Sequence, residues 1–141
     1  LRSFLQPDGL VALSLHREGA MVTGWMVAIV VSAVTMLVLD GIWLSLMASR
    51  LYRPGLGGML RDSFALPPAI VFYVVYVIGF TVLAVLPGLS AGRWTAALWR
   101  GAVFGFVAYA TYDLTNLATL RGWPLSVTLA DLAWGTVLGV A

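Results

Sequence analysis

Four apolar runs, at residues 25–48, 65–87, about 96–120 and 124–141, alternate with short breaks rich in Gly, Pro and Arg. A helix rises about 1.5 Å per residue and needs about 20 residues to cross about 30 Å of hydrocarbon. The pattern therefore predicts an all-α fold, a polytopic transmembrane four-helix bundle whose last span is the shortest. The first run, WMVAIVVSAVTMLVLDGIWLSLMA, is rich in β-branched residues. Lipid offers no partner to an open strand edge, so a helix is the reading here too.

The breaks set the order of the spans. SRLYRPGLGGMLRDSF carries Arg50, Arg53, Arg61 and Asp62 around a Pro-Gly and a Gly-Gly, and is the most polar loop. Pro67 and Pro68 open the second span, where a proline in the first turn loses no intrahelical hydrogen bond. Pro87-Gly88 ends that span, LSAGR leads into the third, and Arg121 to Pro124 form a tight turn. Such short loops predict antiparallel neighbours. Gly101 and Gly105, four apart, predict a close helix approach. Residues 1–20 are less apolar, broken by Pro7, Gly9 and Gly19, and too weak to span. They are expected to form an N-terminal extension, either upstream of a natural start at Met21 or lying as a short interfacial helix, with residues 21–141 forming one transmembrane domain.

Composition strengthens the membrane reading: 61% of residues are hydrophobic, 10% are charged, and the mean hydropathy is +0.97. Lipids are the expected partners. The net charge of +2 comes from arginines without a single lysine. It suits loops that meet anionic headgroups, and neither a basic stripe nor a base-stacking module points to nucleic acid. Cysteine is absent and His16 is the sole histidine. There is accordingly no haem, zinc-thiolate or nucleotide signature, and the metal chemistry left open is a divalent hard cation held by carboxylates.

Polar positions inside the runs change the picture most. Let side A be the end where the first span begins and side B the other. Asp40 lies about 12 Å below side B, and Asp113 and Asp131 about 10 Å below it, counted at the helical rise. Tyr73 joins this layer, with Tyr76 and Tyr109 somewhat deeper. On the third helix Tyr109, Tyr112, Asp113, Asn116 and Thr119 share an arc of about 120° at 100° per residue. A charged Asp near a bilayer centre costs about 3 kcal/mol on insertion scales, so this arc is expected to face the bundle interior.

Asp40, Asp113 and Asp131 are thus the candidate proton acceptors or metal ligands, with Asn116, Tyr73, Tyr76, Tyr109 and Tyr112 around them. Burial and like charge make it costly to ionise all three acids at once, and a carboxyl kept neutral can donate a proton. The structural alternative has the tyrosines and the Asn116 amide bond to the acids simply to tie helices together. Asp40 with Trp43, and Asp131 with Trp134, repeat an Asp-x-x-Trp spacing that sets an indole on the acid's face. That spacing fits an indole N–H bound to a carboxylate, an aromatic wall over a ligand, or plain packing. Arg53 and Arg121 stand with Arg50 and Arg61 at the side-B rim, suited to a headgroup phosphate or to topology alone. Their number against Arg93 and Arg100 favours side B in the cytoplasm if Met21 is the start, whereas Arg2 and Arg17 level the count when residues 1–20 are included.

LDGIWL at 39–44, LYRPGLG at 51–57, FYVVYVIGF at 72–80, GAVFGFVAYATYDLTNLATLRGWP at 101–124 and VTLADLAWGT at 127–136 together resemble a family of uncharacterised bacterial integral membrane proteins, a domain of unknown function. The resemblance spans about 120 residues, and the YATYDLTNLATL block is its most specific part. It implies a small four-helix protein of the bacterial inner membrane. The residues it carries over are Asp40, Trp43, Tyr52, Arg53, Tyr73, Tyr76, Tyr112, Asp113, Asn116, Arg121, Trp123, Asp131 and Trp134. It implies no activity.

Three functions follow as expectations. The first is a one-sided intramembrane carboxylate and tyrosine cleft that binds a cation or a polar or lipid headgroup, with acid–base chemistry on it. The second is an accessory or scaffold subunit of a membrane complex with purely structural acids. The third is a small transporter, which four helices would support only as a homodimer or larger assembly.

Overall fold

The computed structural model describes residues 7–141. Every regular element among them is helical: α1 (Pro7–Met47), α2 (Arg53–Leu56), α3 (Leu66–Phe80), α4 (Leu86–Ser90), α5 (Trp94–Thr119) and α6 (Leu125–Val140). A π-helical turn, Ala48–Tyr52, joins α1 to α2, and another, Thr81–Val85, joins α3 to α4, so the chain makes four helical rods.

The third and fourth rods, Trp94–Thr119 and Leu125–Val140, lie over the apolar runs at about 96–120 and 124–141, and the first two reach beyond theirs. At α1 the 41 residues run through Gly9 and Gly19 without interruption and begin at Pro7. A proline at the first helical position has no donor to lose, which explains that start. Residues 1–6 of the expected extension lie outside the described residues. From Leu10 to Val27 every side chain of α1 is exposed, and Ala28 is the first buried one, so only the second half of the helix enters the bundle. At the second rod the helix passes Pro87 and ends at Ser90. The ring of an interior proline clashes with the carbonyl four residues back. The widened turn at Thr81–Val85 immediately precedes Pro87 and shifts that carbonyl ladder, as π turns do where a helix absorbs strain.

Packing closes the rods into a ring. α1 meets α3 and the Thr81–Val85 turn, that turn and α4 meet α5, α5 meets α6 over the largest interface, and α6 returns to α1. Asp40 meets Tyr73 and Trp134, and Gly88 meets Ala97, while the pairs Gly101–Gly139 and Gly105–Gly135 run in opposite chain senses along α5 and α6. The α5–α6 interface is glycine on both sides. A Cβ on Gly101 would run into the carbonyl oxygen of Gly139, and one on Gly105 into that of Gly135. The sequence pattern flagged the α5 pair; its partners Gly135 and Gly139 repeat the same spacing on α6. Met36, Tyr76, Val77 and Leu138 make the central apolar cluster.

Two rods, Leu10–Met59 and Leu66–Ser90, are long and apolar enough to cross a membrane. α5 is long enough but carries its polar arc, and α6 is apolar but shorter.

Candidate functional site

The three acids are all buried, and the fold treats them differently. Asp40 on α1 accepts from three donors on three other helices: the Tyr73 hydroxyl at 2.7 Å to Oδ2, the Trp134 indole N–H at 3.1 Å and the Tyr109 hydroxyl at 3.4 Å, both to Oδ1. Asp131 on α6 accepts from the Tyr52 hydroxyl, which in turn accepts from the Trp43 indole N–H at 2.8 Å. Trp43 and Trp134 lie stacked, with ring centroids 4.5 Å apart and planes 6° from parallel. The paired Asp-x-x-Trp motifs therefore clasp each other across the α1–α6 contact. Each indole serves the other helix's acid, one directly and one through Tyr52. Such bonds in membranes average about 0.6 kcal/mol each, and an aromatic stack adds about 1 kcal/mol.

Tyr52, which the family resemblance carries over but the placing of the acids in depth did not include, is the residue this network adds to the acid layer. Nine residues after Trp43, it would point about 180° away on a regular α-helix. The π turn that ends at Tyr52 inserts an extra residue into the helical ladder and turns the side chain back towards Trp43. Its place in a break between apolar runs hid this, since a sequence pattern with a polar Pro-Gly loop gives no warning of a helix that continues. Beyond it, α2 folds against the start of α6, where a Cβ on Gly55 would sit 3.1 Å from the Pro124 ring and 3.2 Å from Val127. The most polar loop thus closes over one end of the bundle.

Asp113 differs from both. It is 0% exposed, and neither carboxyl oxygen has a hydrogen-bond partner in the protein. It lines a cavity of about 280 Å³ between α3, α5 and α6. Its lining is Phe72 and Tyr76 from α3, Ala108, Tyr109, Tyr112 and Asp113 from α5, and Asp131 from α6. The Tyr76 hydroxyl is buried and likewise has no partner. A buried polar atom left without a hydrogen bond costs about 1–3 kcal/mol, so several such atoms around one cavity form an unsaturated polar site. The cavity far exceeds the roughly 10–15 Å³ that one water requires. Two other cavities, one beside Met36 and Leu138 and one beside Trp99 and Val103, have no carboxyl in their linings.

The other expected residues divide. Tyr73 and Trp43 belong to the clasp, and Tyr109 bridges it to the cavity wall. Tyr112 stands at the cavity's edge, 61% exposed, with its ring edge-on to Trp123 at 5.8 Å. Asn116, one turn past Asp113, is half-buried and outside the cavity lining. Arg53 and Arg121 are exposed and do not line it. The expected inward arc on α5 is therefore buried at Asp113, half-buried at Tyr109 and Asn116, and open at Tyr112 and Thr119. Trp123 is buried and donates to the Thr128 hydroxyl at 3.0 Å, fixing the α5–α6 turn.

Asp131 belongs to both regions, accepting from Tyr52 in the clasp and lining the cavity with Asp113. Yet among the described residues no group of three or more His, Cys, Asp or Glu side chains is placed to hold one metal ion. The lining's oxygen groups are the carboxyls of Asp113 and Asp131 and the phenols of Tyr76, Tyr109 and Tyr112.

No curated protein and no solved structure matches the chain. A family model does, over residues 25–141, which takes in every residue of the clasp and of the cavity, and the chain belongs to the family described as predicted membrane protein, DUF2177.

Proposed function

We propose that this is a four-span membrane protein whose Asp113 cavity binds a polar group rich in hydrogen-bond donors, with Asp131 placed to exchange a proton with it. The observation that carries this reading is Asp113 itself: an acid with no exposure and no protein partner, in a chain that supplies Asp40 with three donors. A carboxyl serving only to join helices would be expected to have such donors. The four-span arrangement is supported by the ring of rods and by the two longest apolar ones. Arg50, Arg53, Arg61 and Arg121 near the α1–α3 connection and the α5–α6 turn outnumber Arg93 and Arg100 at the other end and favour the first end in the cytoplasm of a bacterial inner membrane only if Arg2 and Arg17 are left out; with them the count is level.

A structural role is the better account of Asp40 and Asp131 in their bonded state, since the clasp uses both to join α1 to α6. The scaffold reading thus applies to part of the acid layer and leaves Asp113 over.

The test compares wild type with Asp113→Asn, purified in parallel from the same membranes into nanodiscs and extracted for mass spectrometry. At least one retained small molecule or lipid is expected to be enriched in wild type and lost from the variant, with helical content unchanged. Identical retained profiles would overturn the binding reading.

A further inference from the structure

We infer that the Asp113 cavity is entered sideways from the bilayer, between α3 and α5, and that its occupant is an amphiphile with a primary ammonium headgroup. The inference rests on the binding reading above and adds the route and the ligand class.

The route follows from how two rods diverge. At one end α4 and α5 are pressed together: a Cβ on Gly88 would run into both the backbone and the side chain of Ala97. Midway, Gly79 faces the Phe104 ring, where an added Cβ would come within 3.3 Å. Towards Asp113 the packing thins, because α5 makes its main contacts with α4 and the Thr81–Val85 turn and few with α3 itself. The cavity occupies the space that this opens. Phe72 and Tyr112, 45% and 61% exposed, flank it on the outer surface of the two rods. The end of the bundle is less accessible. There α2 packs on Pro124 and Val127, Tyr52 is bonded to Asp131, and Trp123 is buried in the turn. Asp113 lies about 10 Å in from the end of its helix, so at its depth the outer surface of a membrane-spanning bundle faces lipid.

The ligand class follows from the lining. Asp113 and Asp131 are the charged-type residues of the lining, the Asp113 oxygens and the Tyr76 hydroxyl are buried without a partner, and no arginine lines the cavity. The lining therefore favours a cation over a phosphate. Phe72, Tyr76, Tyr109 and Tyr112 surround it with rings, whose faces attract an ammonium group. A primary ammonium also carries three N–H donors, matching in number the two Asp113 oxygens and the Tyr76 oxygen that lack a partner. A quaternary one carries none. Lateral entry requires that the headgroup be attached to a chain which stays in the hydrocarbon.

The test uses wild type and Asp113→Asn in nanodiscs, with dodecylamine, dodecyltrimethylammonium, dodecanol and ethylamine as probes and the unfolding midpoint as readout. Dodecylamine is expected to raise the wild-type midpoint by about 4 °C at concentrations near ten times its Kd, to leave Asp113→Asn unmoved, and to outperform the other three probes. In separate samples without amine, the membrane-soluble dicyclohexylcarbodiimide is expected to modify Asp113 several-fold faster than a water-soluble carbodiimide. If ethylamine stabilises as well as dodecylamine, or both carbodiimides react equally, the site binds from water and the lateral inference falls while the binding reading stands. If dodecanol or dodecyltrimethylammonium matches dodecylamine, the primary-ammonium assignment falls. If no probe separates wild type from Asp113→Asn, this ligand assignment falls, and an identical retained profile in the extraction would take the binding reading with it.

Discussion

Asp40 and Asp113 are buried carboxyls at similar depths on neighbouring parts of one bundle, and their surroundings are opposite. Asp40 is reached by Tyr73, Tyr109 and Trp134 from three other helices. Asp113 is reached by none and faces a cavity. Depth and residue type are nearly the same, so the difference lies in which side chains the neighbouring helices direct at each acid. A fold that can supply three donors to one carboxyl and withholds them from another is spending stability at the second. The comparison separates a structural clasp from a binding site within what looks, along the chain, like one layer of acids.

The largest effect is expected where both regions share a wall. A Cβ on Gly135 would strike the Tyr109 ring and the Gly105 backbone. Gly135→Ala should therefore displace Tyr109 from Asp40 and deform the cavity together, costing about 3 kcal/mol as overpacking does, measured by reversible unfolding in mixed micelles or bilayers. Next, Asp40→Ala removes one acceptor from three donors and should cost about 2 kcal/mol at roughly 0.6 kcal/mol per bond. Tyr52→Phe breaks the link between Trp43 and Asp131 but keeps the ring, so about 1 kcal/mol is expected. Tyr112→Phe should change stability by less than about 0.5 kcal/mol, as surface substitutions do, because its hydroxyl is exposed. If Tyr52→Phe proved neutral while Tyr112→Phe proved costly, the division between clasp and cavity edge would be misplaced.

Much of this was legible in the chain before its fold. Four apolar runs marked the rods, and counting residues from their ends put Asp40, Tyr73, Asp113 and Asp131 in one layer, where Tyr73 indeed bonds Asp40 and Asp113 and Asp131 share a cavity. Gly101 and Gly105 announced a close approach. What the pattern missed depends on phase and pairing, which periodicity along one helix does not carry. Tyr52 was placed in a loop because a π turn, which rotates it onto the Trp43 side, leaves no compositional mark. Gly135 and Gly139 pair with the α5 glycines only once α6 is docked antiparallel. A short interfacial helix before the first span was one of the two readings of residues 1–20, but that it would run on unbroken into α1 was not expected, because two glycines and a proline read as breaks, although a first-position proline and isolated glycines are tolerated by a helix. Above all, three acids at one depth give no hint that two would be bonded and one left free.

That last distinction is tested most directly by the unfolding free energy of Asp113→Leu beside Asp40→Ala, both against wild type, in a bilayer of defined lipid with nothing added. Removing a carboxyl that has no protein partner should leave stability unchanged or raise it by about 1 kcal/mol, while Asp40→Ala loses about 2 kcal/mol. A loss at Asp113→Leu as large as that at Asp40→Ala would contradict the account, because Asp113 would then be holding the bundle together.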